Sequence, residues 1–446
     1  MSEFSAIQTL QPPQAVRAIA ETLERAGHEV WCVGGAVRDA LAGEPHLDWD
    51  FATSATPAQV QGLFRKTIPI GIDHGTVAVI DRHGTLHEIT TFRRDVRTDG
   101  RHAVVEFGAS LTEDLARRDF TINAIAYSPT RNEIRDPFGG REDLERRILR
   151  CVGEPGHRMR EDWLRALRAM RFAGRFDLTI EPETWKAIVE ASPFLPRLSA
   201  ERVRQEIEKT MEQVPCPSRS FLLWRASGAL HSLLPSVAAG DDVAVRAADW
   251  VARPEDTRRA ERATLRKLVR LACLFSGPDP DVVRVTMRAL RFSNRDVQAL
   301  SHIAAARAAI EAGVHASLDV ASRPRAVAIR RWVAASGRTD FPAVYRTLYA
   351  RLRASGTPDA APDAPFHARQ LYRDGLRLAF RDPVAIADLA IDGDDLMRSG
   401  IPPGRRVGEI LRGLLDLVLE DPTLNTRERL VQLAREREAC RPAGST

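Results

Sequence analysis

Cysteine is scarce and scattered. The chain has five in 446 residues (Cys32, Cys151, Cys216, Cys273 and Cys440), with no CxxC pair and no Cys/His cluster. This excludes a disulfide framework and a zinc site of ordinary ligand spacing, and it leads us to expect reduced thiols in a cytoplasmic protein. Long apolar runs are missing too: nothing approaches the roughly 20 residues needed to span a bilayer. Met1–Pro12 lacks a basic stretch followed by an apolar one, so no secretory leader is expected there. Aromatic residues make up only 6%, and no fixed-period repeat is visible. The charge imbalance is small, 65 Lys plus Arg against 60 Asp plus Glu. That permits a polyanionic partner without requiring one.

What is present is enough apolar material, 44% of residues, to build several cores. The first third reads as mixed α/β. A helical pattern at 15–26 precedes a short apolar strand at 30–33, then a Gly-Gly turn and a helix near 36–41. Further strands are expected at 47–52, 76–81 and 85–92, and helices near 111–117 and 122–126. From about Leu144 the apolar spacing becomes 3.6 residues almost throughout. The Pro-rich stretch 355–365 suggests a linker. Arg258, Arg259, Arg262, Arg266, Lys267 and Arg270 cluster in the helical part, either as a solvated helix face or as a surface turned to RNA.

Three short patterns carry chemistry. In Val33-Gly34-Gly35-Ala36-Val37-Arg38-Asp39 a strand ends in two glycines before a helix. Missing side chains let a triphosphate approach the backbone, and the helix start offers free N–H groups, with Arg38 as a fork of donors. The same residues also fit a plain tight turn. In Asp48-Trp49-Asp50, strand geometry puts both carboxylates on one side. Paired carboxylates repel unless a cation lies between them, and magnesium takes such oxygen ligands together with substrate phosphates. A polar strand edge is the alternative. Glu88, on a neighbouring strand, would complete a two-metal site that activates an RNA 3′-hydroxyl and holds pyrophosphate.

These patterns occur together with Arg117-Arg118-Asp119-Phe120-Thr121-Ile122-Asn123-Ala124, the loop Asp136-Pro137-Phe138-Gly139-Gly140, the run Glu161-Asp162-Trp163-Leu164-Arg165 through Arg168 and Arg171 to Phe172, and Ser199-Ala200-Glu201-Arg202. In that order the set resembles class II tRNA nucleotidyltransferases and bacterial poly(A) polymerases, a branch of the polymerase-β-like superfamily. The resemblance implies an α+β fold, with a nucleotidyltransferase head of a small mixed sheet and helices followed by an all-helical neck, body and tail. The expected boundaries are 1–147 for the catalytic head, 148–213 for a base-recognising neck and 214–354 for a tRNA-binding body. A linker region is expected at 355–385 and a tRNA-binding tail at 386–446.

It further implies roles for individual residues. Asp48 and Asp50 would hold Mg2+; Glu88, as the third catalytic carboxylate, rests on the strand reading above. Gly35, Arg38 and Arg118 would contact the nucleotide, Asp162 and Arg165 would read the base, and Arg168 and Arg171 would help bind it. Three residues apart on one helix, Asp162 and Arg165 would be neighbours. Cytosine and adenine each present an amine beside a ring-nitrogen acceptor, matching a carboxylate beside a guanidinium, whereas guanine and uracil reverse that order. In isolation, the same spacing fits a salt-bridged surface helix.

Within the family, Ile70 to Val77 resembles the CCA-adding pattern, and Arg93 to His102 resembles the flexible loop of enzymes that add the terminal A. The expected function is therefore addition of CMP and AMP, from CTP and ATP, to the tRNA 3′ end without a template. An A-only adding enzyme, a poly(A) polymerase and a non-catalytic RNA-binding relative are the alternatives. Asp119, Asn123 and Asp136 are expected to be structural, with Asp119 capping a helix that begins near Thr121.

Overall fold

The structure is a computed structural model describing residues 10–44, 49–72, 75–98, 103–251, 259–319, 325–356 and 364–439. It divides into two compact units, residues 1–235 and 236–446. The architecture is α+β, as expected: a seven-stranded mixed sheet with helices, then a helical remainder.

In the first unit the strands are β1 (Val30–Val33), β2 (Asp50–Thr53), β3 (Thr67–Gly71), β4 (Thr76–Ile80), β5 (Leu86–Thr91), β6 (Arg93–Thr98), β7 (Ala103–Phe107), β8 (Ala126–Ser128) and β9 (Glu133–Arg135). The main sheet runs β3-β4-β5-β2-β1-β8-β9, and β6 and β7 pair separately as a ribbon. Helices α1 (Gln14–Arg25), α2 (Gly35–Leu41), α3 (Pro57–Leu63), α4 (Leu111–Ala116) and α5 (Gly140–Glu145) accompany the sheet.

Side-chain alternation along β1 divides the core in two. Val30 and Cys32 pack with Val16, Leu23, Val37, Phe51 and Ile89, while Trp31 and Val33 pack with Ala52, Phe92, Leu115 and Ala126. With both faces covered, β1 is buried along its whole length and is the strand from which the glycine turn emerges.

The helix expected at 122–126 is instead a single 3₁₀ turn, Thr121–Asn123, followed by β8. Ile122 and the four residues Ala124 to Tyr127 are all buried, and β8 lies against central β1. A nearly unbroken apolar run suits a strand covered on both faces better than an amphipathic helix. The edge strand β3 was not anticipated.

The two glycines of Asp-Pro-Phe-Gly-Gly serve different ends. Gly139 has a left-handed φ of 70°. Gly140 sits so close to the Thr121 carbonyl that a Cβ would lie 2.1 Å from its oxygen. The Asp136 carboxylate accepts from the Gly140 and Arg141 N–H groups, capping α5, in line with its expected structural role.

The first unit continues through α6 (Pro155–Glu161), α7 (Leu164–Phe176), α8 (Pro182–Ala191), α9 (Ala200–Gln213) and α10 (Pro217–Ser227). The second unit is helical. Residues 355–385, expected as a linker, contain the helix Ala364–Arg381, whose Ala368, Leu371, Leu378 and Ala379 are buried. The Pro-rich composition ends in the first turn of this helix, at Pro365, and the apolar residues beyond it follow a helical period. Arg270 is neither a solvated nor an RNA-facing side chain, being 1% exposed. The terminal helices Gly393–Arg398, Arg405–Glu420 and Arg427–Ala439 close over their own core, including Leu396, Ile410, Leu414 and Leu430.

Replacing Gly140 with Ala should destabilise the first unit by roughly 1–3 kcal/mol, because the new methyl meets a backbone carbonyl rather than a movable side chain. Urea unfolding of G140A against the wild type measures this; an unchanged midpoint would contradict the close approach.

Candidate functional site

The glycine turn follows directly from β1. Gly34 has φ 79° and ψ −133°, a conformation costly for any residue with a Cβ. A Cβ on Gly34 would also lie 3.1 Å from Nη1 of Arg118. Arg118 therefore stands beside the turn, as its expected role requires. It is held there by a 3.2 Å ion pair to Asp114 and a 3.4 Å bond to the Asn123 carbonyl.

Asp50 is the cross-strand partner of Val33, the residue immediately before Gly34. It is half-buried at the start of β2. Burial first, and the Asp50 charge second, push the Cys32 thiol well above its usual range. Strands β2 and β5 run parallel with Phe51 beside Ile89 and Ala52 beside Thr90. One residue earlier, the same register sets Glu88 beside Asp50, on the face opposite Phe51 and Ile89. Glu88 is exposed there, between buried His87 and Ile89. His87 reaches the Trp49 carbonyl at 3.4 Å and Asp81 at 3.3 Å, tying the start of β5 to the residue before Asp50. Asp48 lies outside the described residues, so the expected pairing of the two aspartates has no geometry here. Among the described residues, no three His, Cys, Asp or Glu side chains gather as a metal site.

Arg38 folds back beside the turn, its Nη2 lying 3.6 Å from where a Cβ on Gly35 would stand. Its guanidinium is 4% exposed and donates to Asp39 Oδ1 from Nε at 2.8 Å and from Nη2 at 2.5 Å, and to Asn123 Oδ1 from Nη1 at 2.5 Å. It also lies over the Phe172 and Phe176 rings at 4.8 and 4.7 Å. Burial lowers its pKa, an effect opposed by Asp39. Arg38 thus ties α2 to α7.

Helix α7 carries an arginine row directed at the sheet domain and at α9. Arg165 donates to the carbonyls of Arg158 (3.0 Å) and Arg117 (3.3 Å) and pairs with Glu161 at 2.5 Å. Arg168 forks onto Asp119 at 2.9 and 2.7 Å. Arg171 is buried against Glu206 (2.7 Å) and Gln213 (3.2 Å). Arg175 reaches Asp39 at 2.8 Å. The salt-bridged surface helix is excluded for this row, since Arg171 is 4% exposed and Arg165 and Arg168 pair with carboxylates whose side chains are about one-tenth exposed.

Asp119 does not cap the turn after it. Oδ1 accepts from the Phe120 N–H and from Asn123, and Oδ2 accepts from Arg168. Burial would raise its pKa, but the Arg168 charge and these bonds outweigh burial and bring it to about 2.

Asp162 and Arg165 are not neighbours on one helix. Asp162 ends α6 with extended backbone (φ −157°, ψ 103°), and α7 begins at Leu164. Oδ1 of Asp162 accepts from the Leu164 N–H at 3.1 Å, and Oδ2 accepts from Arg202 Nη2 at 2.7 Å. The chain break between the two helices escaped the sequence reading because apolar spacing runs on through it. Arg202 lay within a recognised motif, but nothing local in the sequence assigned it a partner 40 residues away.

Residues 30–150 match the family model for the poly A polymerase head domain, and 177–240 match that for a probable RNA and SrmB-binding site of polymerase A. The chain is 35% identical to the CCA-adding enzyme of Geobacillus stearothermophilus over 97% of its own length and 99% of the relative's. Against the CCA-adding enzyme of Lactiplantibacillus plantarum it is 34% identical, with 95% and 96% covered. Its fold superimposes on the crystal structure of the Bacillus stearothermophilus CCA-adding enzyme in complex with CTP with a TM-score of 0.73 at 34% identity, covering 96% of this chain and 98% of that one. The chain belongs to the class II family of CCA-adding enzymes and poly(A) polymerases. Among the described residues, no helix is long and apolar enough to cross a membrane.

The depressed Asp119 pKa makes a pH prediction. A carboxyl at about 2 when folded, against 3.8 ordinarily, adds stability that is full above about pH 4 and fades as pH falls through 2. Its size is on the order of 2 kcal/mol. Asp119→Asn should lose that increment at neutral pH and show a shallower stability loss between pH 4 and 2 in urea titrations. An acid limb parallel to the wild type would contradict the Arg168 pairing.

Proposed function

We propose that this protein is a template-independent tRNA nucleotidyltransferase that builds the 3′ CCA end by transferring CMP and AMP from CTP and ATP. The observation that carries the reading is the full-length relationship to CCA-adding enzymes, together with Asp50 beside the glycine turn. Residues 1–147 would be the catalytic head and 148–213 the base-recognising neck. Residues 214–354 and 386–446 would be the tRNA-binding body and tail.

Enzymes of this family depend on a divalent metal, and we take magnesium as the ion here. The donors suit it: Asp50 is a half-buried carboxylate next to a glycine turn, and Glu88 shares its face of the sheet. Asp48, Asp50 and Glu88 would hold the ion, which supplies charge stabilisation for the 3′-hydroxyl and the leaving pyrophosphate when bound. Gly35 leaves room for the triphosphate, and Arg118, close to Gly34, would donate to its oxygens. Arg38, Arg168 and Arg171 act from behind the site by fixing α2 and α7.

Asp162 would accept from the exocyclic amine of C or A, and Arg165 would donate to the adjacent ring nitrogen. Arg165 keeps its Nε–H and one Nη2–H for this purpose. Guanine or uracil would set a carbonyl against Asp162 and an N–H against Arg165, stranding both at a cost of about 1–3 kcal/mol each. A cytoplasmic location accompanies this activity.

The deciding assay offers tRNA ending before CC, after CC and after CCA, with CTP and ATP. CCA addition followed by arrest is expected. A addition only to the CC-ended substrate, or a long A tail, would identify the sister activities instead. Asp50→Asn should lower incorporation by at least a hundredfold while filter binding of tRNA stays within twofold, and near-normal turnover would refute the metal role. Chelation should abolish incorporation, and added Mg2+ should restore it. Asp162→Ala should admit UTP and GTP; continued full exclusion of both would disprove the base-reading role.

A further inference from the structure

We infer that Arg202 is a specificity-determining positioning residue, which aims the Asp162 carboxylate at the incoming base and so sets how sharply C and A are told from U and G. The inference rests on the base-reading role of Asp162 and goes beyond it.

Asp162 sits at a break between two helices, where the backbone is extended. Two contacts fix the carboxylate. The Leu164 N–H takes Oδ1, and the Arg202 guanidinium, coming from α9, takes Oδ2. Without Arg202 the carboxylate would keep a single tether and could swing about its terminal torsion, which is broad for aspartate.

Arg165 is fixed by different groups, namely Glu161 and the carbonyls of Arg158 and Arg117. The two halves of the reader therefore share no side-chain partner; the Arg165 N–H donates to the Asp162 carbonyl, which fixes their backbones together, and the aim of the carboxylate is set by how α9 stands against the α6–α7 break. A reader that distinguishes bases by donor and acceptor order needs its acceptor held in the plane of the base, because a mobile carboxylate can turn away from a uracil carbonyl and evade the penalty. Arg202 also neutralises the Asp162 charge without blocking it. The side chains are 33% and 26% exposed, and a carboxylate accepting two hydrogen bonds retains acceptor sites. Partial exposure also makes Arg202 replaceable with little loss of packing.

The test compares R202Q, R202K and D162A in the full-length enzyme. The readouts are the ratio of kcat/KM for CTP over UTP on tRNA lacking CCA, the separate KM and kcat for CTP, and tRNA affinity by filter binding. R202Q should lower the CTP-over-UTP ratio at least tenfold, mainly through a raised KM for CTP, while tRNA affinity stays within twofold. R202K keeps the charge but not the planar fork and should fall between R202Q and the wild type. If D162A relaxes the ratio while R202Q and R202K keep the wild-type value, the inference about Arg202 is overturned and the Asp162 reading stands. If D162A itself keeps full discrimination, both are overturned. A loss of tRNA affinity in R202Q with unchanged discrimination would mark Arg202 as an RNA contact and also overturn the inference. Should R202Q fail to show a folded melting transition, R202K decides alone: wild-type discrimination overturns the inference, and an intermediate value supports it.

Discussion

The ion pair between Asp119 and Arg168 is the contact on which the catalytic unit depends. Asp119 follows α4 on the sheet side, and Arg168 lies in the middle of α7. The Asp119 carboxylate is largely withdrawn from water while Arg168 keeps 30% of its side chain exposed, and the pair contributes on the order of 2 kcal/mol. Asp119 binds further. Through Asn123 it reaches Arg38, through Arg38 it reaches Asp39, and Asp39 in turn accepts from Arg175 at the far end of α7. The helix is held at two points a full two turns apart, so it cannot pivot on either.

Two phenylalanines make this density of positive charge possible. Phe172 has Arg38, Arg168 and Arg171 within 5.3 Å of its ring centre, and Phe176 has Arg38 and Arg175 within 4.7 Å. The π faces attract the flat guanidinium groups and keep neighbouring cations apart. Lysine could not substitute, since the arrangement needs planar groups that stack on one side and donate in a fork at the edge. The carboxylates Asp39, Asp119 and Glu206 alternate with the arginines, so the cluster is close to charge-balanced internally.

Chemistry at the level of motifs was legible in the sequence, whereas the direction each side chain takes was not. The glycine turn and Asp50 on a strand follow from local pattern, whereas Arg118, 84 residues along the chain from Gly34, was reached only through the family resemblance. Arg38 shows the limit. Its place in G-G-x-x-R-D suggested a donor fork at the turn, but the two rings it lies against are about 135 residues further along, and no local rule brings them near. Asp119 was misjudged for the same reason: an aspartate before a short turn resembles a cap, and only the tertiary fold supplies the arginine that outcompetes the backbone. A helix was expected at 122–126, and the strand at 126–128 was missed, because a segment buried on both faces loses the alternation that distinguishes the two. Where the second unit lacks motifs, helical period alone revealed its class and not its packing, as the buried Arg270 shows.

The separation of Asp162 from Arg165 changes how selection without a template can work. Two residues on one helix would share one rigid frame, and their spacing would be fixed by helix geometry alone. In the proposed reader the acceptor, Asp162, belongs to the end of one helix and the donor, Arg165, to the start of the next. Spacing then becomes adjustable, since a small rotation of α9 would move one group and leave the other in place. Cytosine and adenine present the same order of groups but differ in ring size, so a site that accepts both must shift its walls while keeping its donor and acceptor in order. Asp162 is itself tied to the start of α7, accepting from the Leu164 N–H and, through its carbonyl, from the Arg165 N–H, so the anchor that can move it without moving α7 is Arg202 of α9, while the ion pairs of Arg168 and Arg175 hold α7 in place.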